Sequence, residues 1–554
     1  MKRNHIYIVA GLLFGAFGCT SEDDLIADQE AANPIVIPSG ATGTAGSANF
    51  SNYVSFGASF AAGVMDGALY TDGQIYSYPA QIATQLMTEG VGGGSFEQPD
   101  INSVLGFSGV GEDGTIFGRL TLDIASLSLN PEPGGDPIGA YTGDVTQLNN
   151  FGVGGIILGQ ALTPLTGGPA SDANPAYNPF YERFASAPGT STILTDAIAT
   201  SPTFFTSSLG GNDFLGYAVT GGDGSVAITS AADFQSQYSQ FVEAMVATGA
   251  KGVLMNLPPV ILLPYFQAVQ WDAIPLDGVS ASALSINENI LAINGLFQSA
   301  QDAGFIDDAA ARTMTYQEGN NAILVVDEDL VDLGPFFDNL LALGAVDAAT
   351  RAGLVPYEQS RQLTEGELVL LPALAELGAD WDGDESTTDP VGVVVPLGFN
   401  LDATTGAPVL DGDRRFLDLA EVTAIVTASA TFTAIIDGIV AQTNAAAGET
   451  VLAVADVYPI FADAAGLDAA TATSLVFTEA GIAAADGVQG IDFNGTTLAP
   501  DFTPNGIFSA DGIHPNPRGY GLIANKFIET INENFGASIP TIDVLPLRTI
   551  YFTL

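Results

Sequence analysis

The sequence predicts an α/β protein built on a parallel sheet. Four apolar runs carry most of that prediction. Asn52-Tyr53-Val54-Ser55-Phe56 stops at Gly57-Ala58-Ser59, and Thr203 to Leu209 stops at Gly210-Gly211. Gly252 to Leu257 ends at Pro258-Pro259, and the fourth run is Thr450 to Val457. Such runs lack the alternation of a half-exposed strand and resemble strands buried on both faces. The second observation is an amphipathic helix between the second and third runs. Phe234, Tyr238, Phe241, Val242 and Met245 recur at helical spacing, Ser230 and Asp233 form a capping-box-like start, and Gly249 closes the element. The third is a helix opened by Asn516-Pro517, with Tyr520, Ile523, Phe527 and Ile531 as its buried stripe and Gly536 as its stop. Strands alternating with helices give parallel sheets, whose ligands bind beyond the carboxyl ends of the strands.

Residues 266–410 interrupt this rhythm. Ser285-Ile286-Asn287 onward is predicted helical and Ala322 to Val326 a short strand, followed by helical, loop-rich sequence to Arg414-Arg415. The expected layout is therefore a catalytic domain in two parts, 51–265 and 411–540, around an insertion or cap at 266–410, with a tail from 541 to 554. No internal repeat is apparent.

The N-terminus reads as an export signal. Met1-Lys2-Arg3-Asn4-His5 is basic, and the apolar stretch Ile6 to Gly18 is too short to span a bilayer core but suits a signal-peptide h-region over residues 1–18. Cys19 is the only cysteine, so no internal disulfide forms. Its place after a small residue resembles a bacterial lipobox, although Ala16 and Phe17 depart from the usual Leu and small residue. The acidic Thr20-Ser21-Glu22-Asp23-Asp24 resembles the surface-export signal of Bacteroidetes lipoproteins. Residues 19–50, rich in Ala, Gly, Ser and Thr, then read as a lipid-anchored flexible tether. The expected location is the cell envelope, as an outer-membrane lipoprotein. No later segment is expected to have the length and apolar continuity of a membrane span.

The chain carries 63 acidic and 13 basic residues, a formal charge of -50. That field repels nucleic acid and anionic membrane surfaces, so contact with a membrane is expected through the anchor alone. Apolar residues make up 47% of the chain, enough for a large core.

Four separated pieces fit one reaction. Ser59 sits on a small-residue turn after a strand. Asn150-Phe151-Gly152-Val153-Gly154-Gly155 offers a turn whose N–H groups can face a developing oxyanion. Gly210-Gly211-Asn212-Asp213 ends a buried strand with an amide donor. Asp511-Gly512-Ile513-His514 supplies a carboxylate and the only histidine beyond the leader. Acyl transfer needs this set: a nucleophile, a base, an orienting carboxylate and donors for negative charge. Taken singly, Ser59 and the glycine turn are weak signals, and Asp511-xx-His514 is the strongest.

These pieces, in this order, resemble the blocks of the SGNH or GDSL hydrolase superfamily, in a Bacteroidetes lipoprotein branch. The resemblance covers most of residues 52–540 and includes Asp66-Gly67-Ala68-Leu69-Tyr70, Gly73-Gln74 to Tyr78-Pro79, the Asn256-Leu257-Pro258-Pro259 turn and Asp511 through Ala524. It implies a three-layer α/β/α sandwich around a five-stranded parallel sheet (the flavodoxin-like SGNH fold). It also implies a Ser59–His514–Asp511 triad and an oxyanion hole from Ser59, Gly155 and Asn212. The usual GDS motif reads Gly57-Ala58-Ser59 here, lacking an aspartate that is not the family's triad acid.

The function expected is an exported serine esterase or lipase acting on an acyl ester substrate, with no cofactor. Two alternatives stand beside it: a glycan O-acetylesterase, and a catalytically silent surface binding lipoprotein. Phe60, Phe214 and Tyr217 are expected as exposed aromatics near the motifs. With one histidine and one cysteine beyond the start, no zinc set exists, and Asp380 to Glu385 lacks the glycine and glutamate spacing of a calcium loop. Asp411-Gly412-Asp413 with Arg414 and Arg415 reads as a surface ion-pair turn. For the anchor, Cys19→Ser is expected to move the expressed protein from the detergent to the aqueous phase on partitioning; unchanged partitioning would remove the lipid from the account.

Overall fold

The computed structural model describes residues 40–111, 113–123, 128–258, 260–379, 390–401, 407–466, 490–503 and 505–553. The leader, Cys19 and the tether up to residue 39 lie outside them, as do Pro259 and the acidic loop from Asp380 to Glu385. Five strands form one all-parallel sheet: β1 (Tyr53–Gly57), β2 (Asn150–Gly152), β3 (Phe204–Ser208), β4 (Lys251–Met255) and β5 (Leu452–Ala455). Their order across the sheet is β2-β1-β3-β4-β5. The chain thus builds outward from β1 to one edge, then returns to build the other side from β3. Where that order reverses, the connections after β1 and β3 leave in opposite directions and open a crevice at the strand ends.

The helices that bear on this crevice are α1 (Ser59–Ala62), α2 (Tyr78–Leu86), α3 (Asn212–Val219), α4 (Ala231–Val246), α5 (Leu419–Ala447) and α6 (Pro517–Phe535). The pleat of β1 turns alternate residues to opposite faces. Phe56 meets Phe241 of α4 edge-on at 5.1 Å, and Phe205 meets the same ring at 6.2 Å. From the other face Ser55 Oγ reaches the hydroxyl of Tyr78 on α2 at 3.3 Å, and Tyr78 stacks on Phe527 of α6 at 4.9 Å. Helices therefore cover both faces of the sheet.

The local signals act as the sequence predicts. Ser230 Oγ accepts the Asp233 N–H at 3.1 Å to start α4, whose buried residues are Phe234, Tyr238, Phe241, Val242 and Met245. Asn516 Oδ1 accepts the N–H groups of Arg518 and Gly519, Pro517 opens α6, and Gly536 ends it at φ 65°.

Two elements depart from expectation. Asn150–Gly152, expected as a flexible turn, is the buried edge strand β2, aligned by register on Ser55 to Gly57. Three residues rich in Asn and Gly have little strand preference of their own, and the neighbouring β1 decides the matter. The other is α5, 29 residues long with a window of hydropathy 1.7, which by length and composition alone is apolar enough to cross a membrane. Here it is the crossover helix before β5. A capping box between Asp418 and Glu421 starts it, and Gly448 ends it at φ 71°. Its buried face, including Ile425, Phe432 and Ile436, packs toward α3, α4 and β5.

The stretch that interrupts the α/β rhythm holds a hydrophobic cluster of its own, drawn from Val269 to Phe416. Leu324–Val326 pairs there with Ser360–Gln362, and Arg361 is ion-paired with both Asp327 and Glu367. The Asp411 turn is ion-paired as expected: Arg414 reaches Asp223 at 3.0 Å, and Arg415 reaches Glu376 at 2.7 Å. Beyond α6 the C-terminal stretch is packed rather than free. Ile542, Val544, Leu547 and Tyr551 are buried, and Phe552–Thr553 pairs with the end of a strand at Ile116–Asp123.

Phe241 ties β1 and β3 to the helical layer with no polar atom to satisfy. Phe241→Ala is expected to lower the free energy of unfolding by about 3–5 kcal/mol, the range for truncating a buried aromatic. Denaturant titration measures this, and a loss below about 1 kcal/mol would show that the site relaxes to fill the cavity.

Candidate active site

The carboxyl ends of β1 and β3 lie side by side, Gly57 opposite Ser208. No side chain fits at Gly57: a Cβ there would come 2.3 Å from Ser208 Oγ and 2.6 Å from Ala61 Cβ. The chain leaves β1 at Ala58 (φ -91°, ψ -135°) and enters α1 at once, so Ser59 takes the first helical position. An N–H there has no intrahelical partner. A narrow cleft open to solvent is lined in part by Ser59. Its lining is largely apolar, with Phe60, Leu215, Met255, Leu257, Val260, Phe461 and Ile513 around the polar Ser59, Ser208 and Asn212.

Asp511 and His514 face one another across a single tight loop. Asp511 Oδ2 lies 2.7 Å from His514 Nδ1, and Oδ1 accepts the N–H groups of Ile513 and His514, each at 2.8 Å. Burial works against the Asp511 charge. The facing imidazole and these N–H donors outweigh it and hold the carboxyl down at about 2. An ionised carboxylate cannot donate, so the proton on that bond belongs to Nδ1, and in the neutral ring Nε2 is the acceptor. Gly512 turns at φ 70°, and its carbonyl accepts the Tyr265 N–H at 2.9 Å, which fastens the loop to the segment bordering the cleft.

The ring of His514 lies edge-on to Phe60, the residue after Ser59, with centroids 5.9 Å apart. Among the described residues no hydrogen bond joins Ser59 Oγ to His514, so these two predicted site residues meet only through Phe60. Asn212 starts α3 and lines the cleft. One of its two amide protons goes to the Ile156 carbonyl at 2.9 Å, which leaves the other for a ligand. Gly155 stands on the exposed turn after β2, at φ 79°, outside the cleft lining. Its N–H donates to no other described group.

Two further residues fix this geometry. Asp213 accepts the Leu158 N–H at 2.9 Å and the Thr229 hydroxyl at 2.8 Å, so α3 grips the 155–158 turn by both Asn212 and Asp213. The turn at Asp66-Gly67 contacts the His514 loop, and Gly67 N–H donates to Asp511 Oδ2 at 2.7 Å. The sequence marks Asp66-Gly67 only as part of the resemblance, and nothing local links it to a loop 444 residues away. Of the aromatics expected to be exposed, Phe60 lines the cleft and Tyr217 is half-buried, but Phe214 is buried against Phe432. It falls on the inner face of α3, a side that the helix's packing alone decides.

No protein-family model, curated protein or solved structure matches this chain.

Burial pushes the Asp213 carboxyl up to about 6. Between about 4, the ordinary carboxylate value, and that value the folded state binds the proton that the unfolded chain has lost, so stability falls as pH rises through this window. Asp213→Asn keeps the shape and removes the titration. The variant is expected to gain on the order of 2 kcal/mol relative to wild type between pH 4 and pH 7. Parallel denaturant curves at the two pH values measure this, and an unchanged difference would show that Asp213 ionises freely when folded.

Proposed function

We propose that this chain is an exported serine esterase of the SGNH type, acting on carboxylic acyl esters with apolar acyl groups. The observation that carries the reading is the Asp511–His514 pair, whose imidazole meets Phe60, the residue after Ser59, edge-on, while Ser59 and Asn212 line an apolar cleft where the strand order reverses. The strand order β2-β1-β3-β4-β5 and helices on both faces agree with the sandwich that the family resemblance implies.

In this mechanism His514 Nε2 takes the Ser59 hydroxyl proton as Oγ attacks the ester carbonyl, while Asp511 holds the Nδ1–H tautomer. The Ser59 N–H and the free Asn212 amide proton stabilise the oxyanion as charge develops. The Gly155 N–H, on the turn that Asn212 holds at Ile156, would be the third donor if that turn closes over the cleft. Collapse of the tetrahedral intermediate expels the alcohol, which leaves with the proton from His514. Water, activated by the same base, then cleaves the acyl-enzyme to the carboxylic acid and restores Ser59. Lipidation at Cys19 would hold the enzyme at the outer-membrane surface, and the residues at the N-terminus are the support for that placement. The apolar lining favours esters with apolar acyl chains over acetylated glycans, whose sugar rings are polar. A silent binder has no need of an ionised Asp511 locking one imidazole tautomer.

A panel of p-nitrophenyl esters of rising chain length, with acetylated xylan beside it, is the test. We expect kcat/KM to rise from acetyl toward longer acyl chains; activity on acetyl alone would favour the glycan reading, and none in folded protein the silent one. Ser59→Ala and His514→Ala are each expected to abolish most turnover, and the double variant to lose little more, since the two act as a unit. Asn212→Ala is expected to lower kcat by about 10²- to 10³-fold, the value of one oxyanion donor.

A further inference from the structure

One buried carboxylate lies directly behind the His514 loop and takes no part in the mechanism above. Asp66 is 1% exposed and adopts φ 51°, the left-handed region that Asp and Asn tolerate better than other side chains. Its Oδ1 accepts the Ala510 N–H at 2.9 Å, and its Oδ2 accepts the Tyr70 hydroxyl at 2.7 Å. Its own N–H donates to Ser509 Oγ at 2.9 Å, and that hydroxyl in turn donates to Asp511 Oδ1 at 3.1 Å. The next residue, Gly67, donates its N–H to Asp511 Oδ2, the oxygen that also holds His514 Nδ1.

The two Asp511 oxygens are held differently. Oδ1 is bound by its own loop, through Ser509, Ile513 and His514. On Oδ2, Gly67 provides the only bond among the described residues besides the imidazole itself. The three bonds on Oδ1 set the plane of the carboxylate, one of them through the hydroxyl that the Asp66 N–H holds, and the Gly67 N–H braces Oδ2 from outside the loop. The left-handed turn aims two successive N–H groups at the 509–511 segment, and the Asp66 carboxylate fastens that turn to Ala510. Behind it, Arg548 is ion-paired with Asp72 and lies 3.4 Å from the Tyr70 hydroxyl, so the packed C-terminal stretch backs the same contact. Burial pushes the Asp66 carboxyl up, while Arg548, the Ala510 N–H and the Tyr70 hydroxyl pull it down.

We propose that Asp66 is a positioning residue for the Asp511–His514 pair: its carboxylate fastens the turn whose N–H groups brace Ser509 and Asp511 Oδ2, and through them it holds the direction of the imidazole. The kinetic consequence rests on the esterase reading; the geometric one does not.

Asp66→Gly suits the left-handed backbone and removes only the carboxylate, and Asp66→Asn restores an acceptor of the same shape. Ser509→Ala removes the hydroxyl that links the Asp66 N–H to Asp511 Oδ1 and leaves the Asp66 carboxylate in place. We expect Asp66→Gly to lower kcat on a p-nitrophenyl ester by on the order of 10²-fold, the scale of a small misplacement at a reacting centre. KM should change less than twofold, and Asp66→Asn should recover most of the rate. In NMR spectra of the full chain without substrate, the downfield His514 Nδ1–H resonance, assigned by its loss in His514→Ala, should broaden in Asp66→Gly and Ser509→Ala and return in Asp66→Asn. An unchanged resonance in a cooperatively folded Asp66→Gly protein would overturn the proposal, and so would a rate loss matching only the fraction unfolded. Should Asp66→Gly not fold, an unchanged resonance in Ser509→Ala overturns it equally. A wild type inert toward every ester would sink the esterase reading while the resonance still decides the role of Asp66.

Discussion

The parallel pairing of β1 with β3 sets Gly57 against Ser208, and the site is arranged around that contact. Two chains leaving adjacent strand ends in opposite directions cannot fill the space between them, which is why a crevice opens there. The contact is close enough to exclude any side chain at Gly57, so Ser59 enters α1 without a longer loop between. On the neighbouring strand, Gly210 turns at φ 113° under the ring of Phe234, and Asn212 starts α3 at the same level. The backbone, rather than any one side chain, brings the hydroxyl and the amide to one cleft.

Beneath the cleft the sheet carries a line of buried hydroxyls. Tyr53 and Thr206 hydrogen-bond at 2.7 Å, Thr206 reaches Ser55 at 3.3 Å, and Tyr78 bridges Ser55 to Ser208 at 3.3 and 3.2 Å. Buried hydroxyls are costly when unpaired and specifying when paired, so this line holds the registers of β1 and β3 and the place of α2 together. Its last member, Ser208, lines the cleft. The polar floor beside Ser59 is thus continuous with the layer that orders the core.

Charge is divided between surface and interior in an unusual way. Acidic residues outnumber basic ones 63 to 13, yet several arginines are inside. Arg183 Nε donates to the Gly139 carbonyl at 3.0 Å, and Arg312 donates to the carbonyls of Glu358 and Val331. Arg119 lies over the ring of Tyr551 at 3.5 Å, and Arg548 pairs with Asp72. A planar guanidinium with five donors satisfies carbonyls that a loop-rich chain leaves unpaired. These four arginines therefore act as internal clamps, and the acidic residues, far in excess, set a surface field that is screened within about 10 Å in ordinary salt.

By itself the sequence determined what is local. Apolar runs of five or more residues specify β1, β3, β4 and β5, and helical periodicity with caps specifies α4 and α6, because each signal lies within one turn or one pleat. Asp511 and His514 were legible for the same reason, since three residues are enough for one loop to present both. The long α5 carried its capping box and closing glycine in plain view, yet an apolar stripe spread around a helix has no clear periodicity to read. Tertiary structure decided the rest. It made a strand of Asn150–Gly152 by supplying β1 as its partner, and it turned Phe214 inward. It also brought Asp66 and Gly67 to the histidine loop across 444 residues. Those outcomes depend on which surfaces meet, and hydrogen bonds between distant segments leave no periodic trace in the chain that makes them.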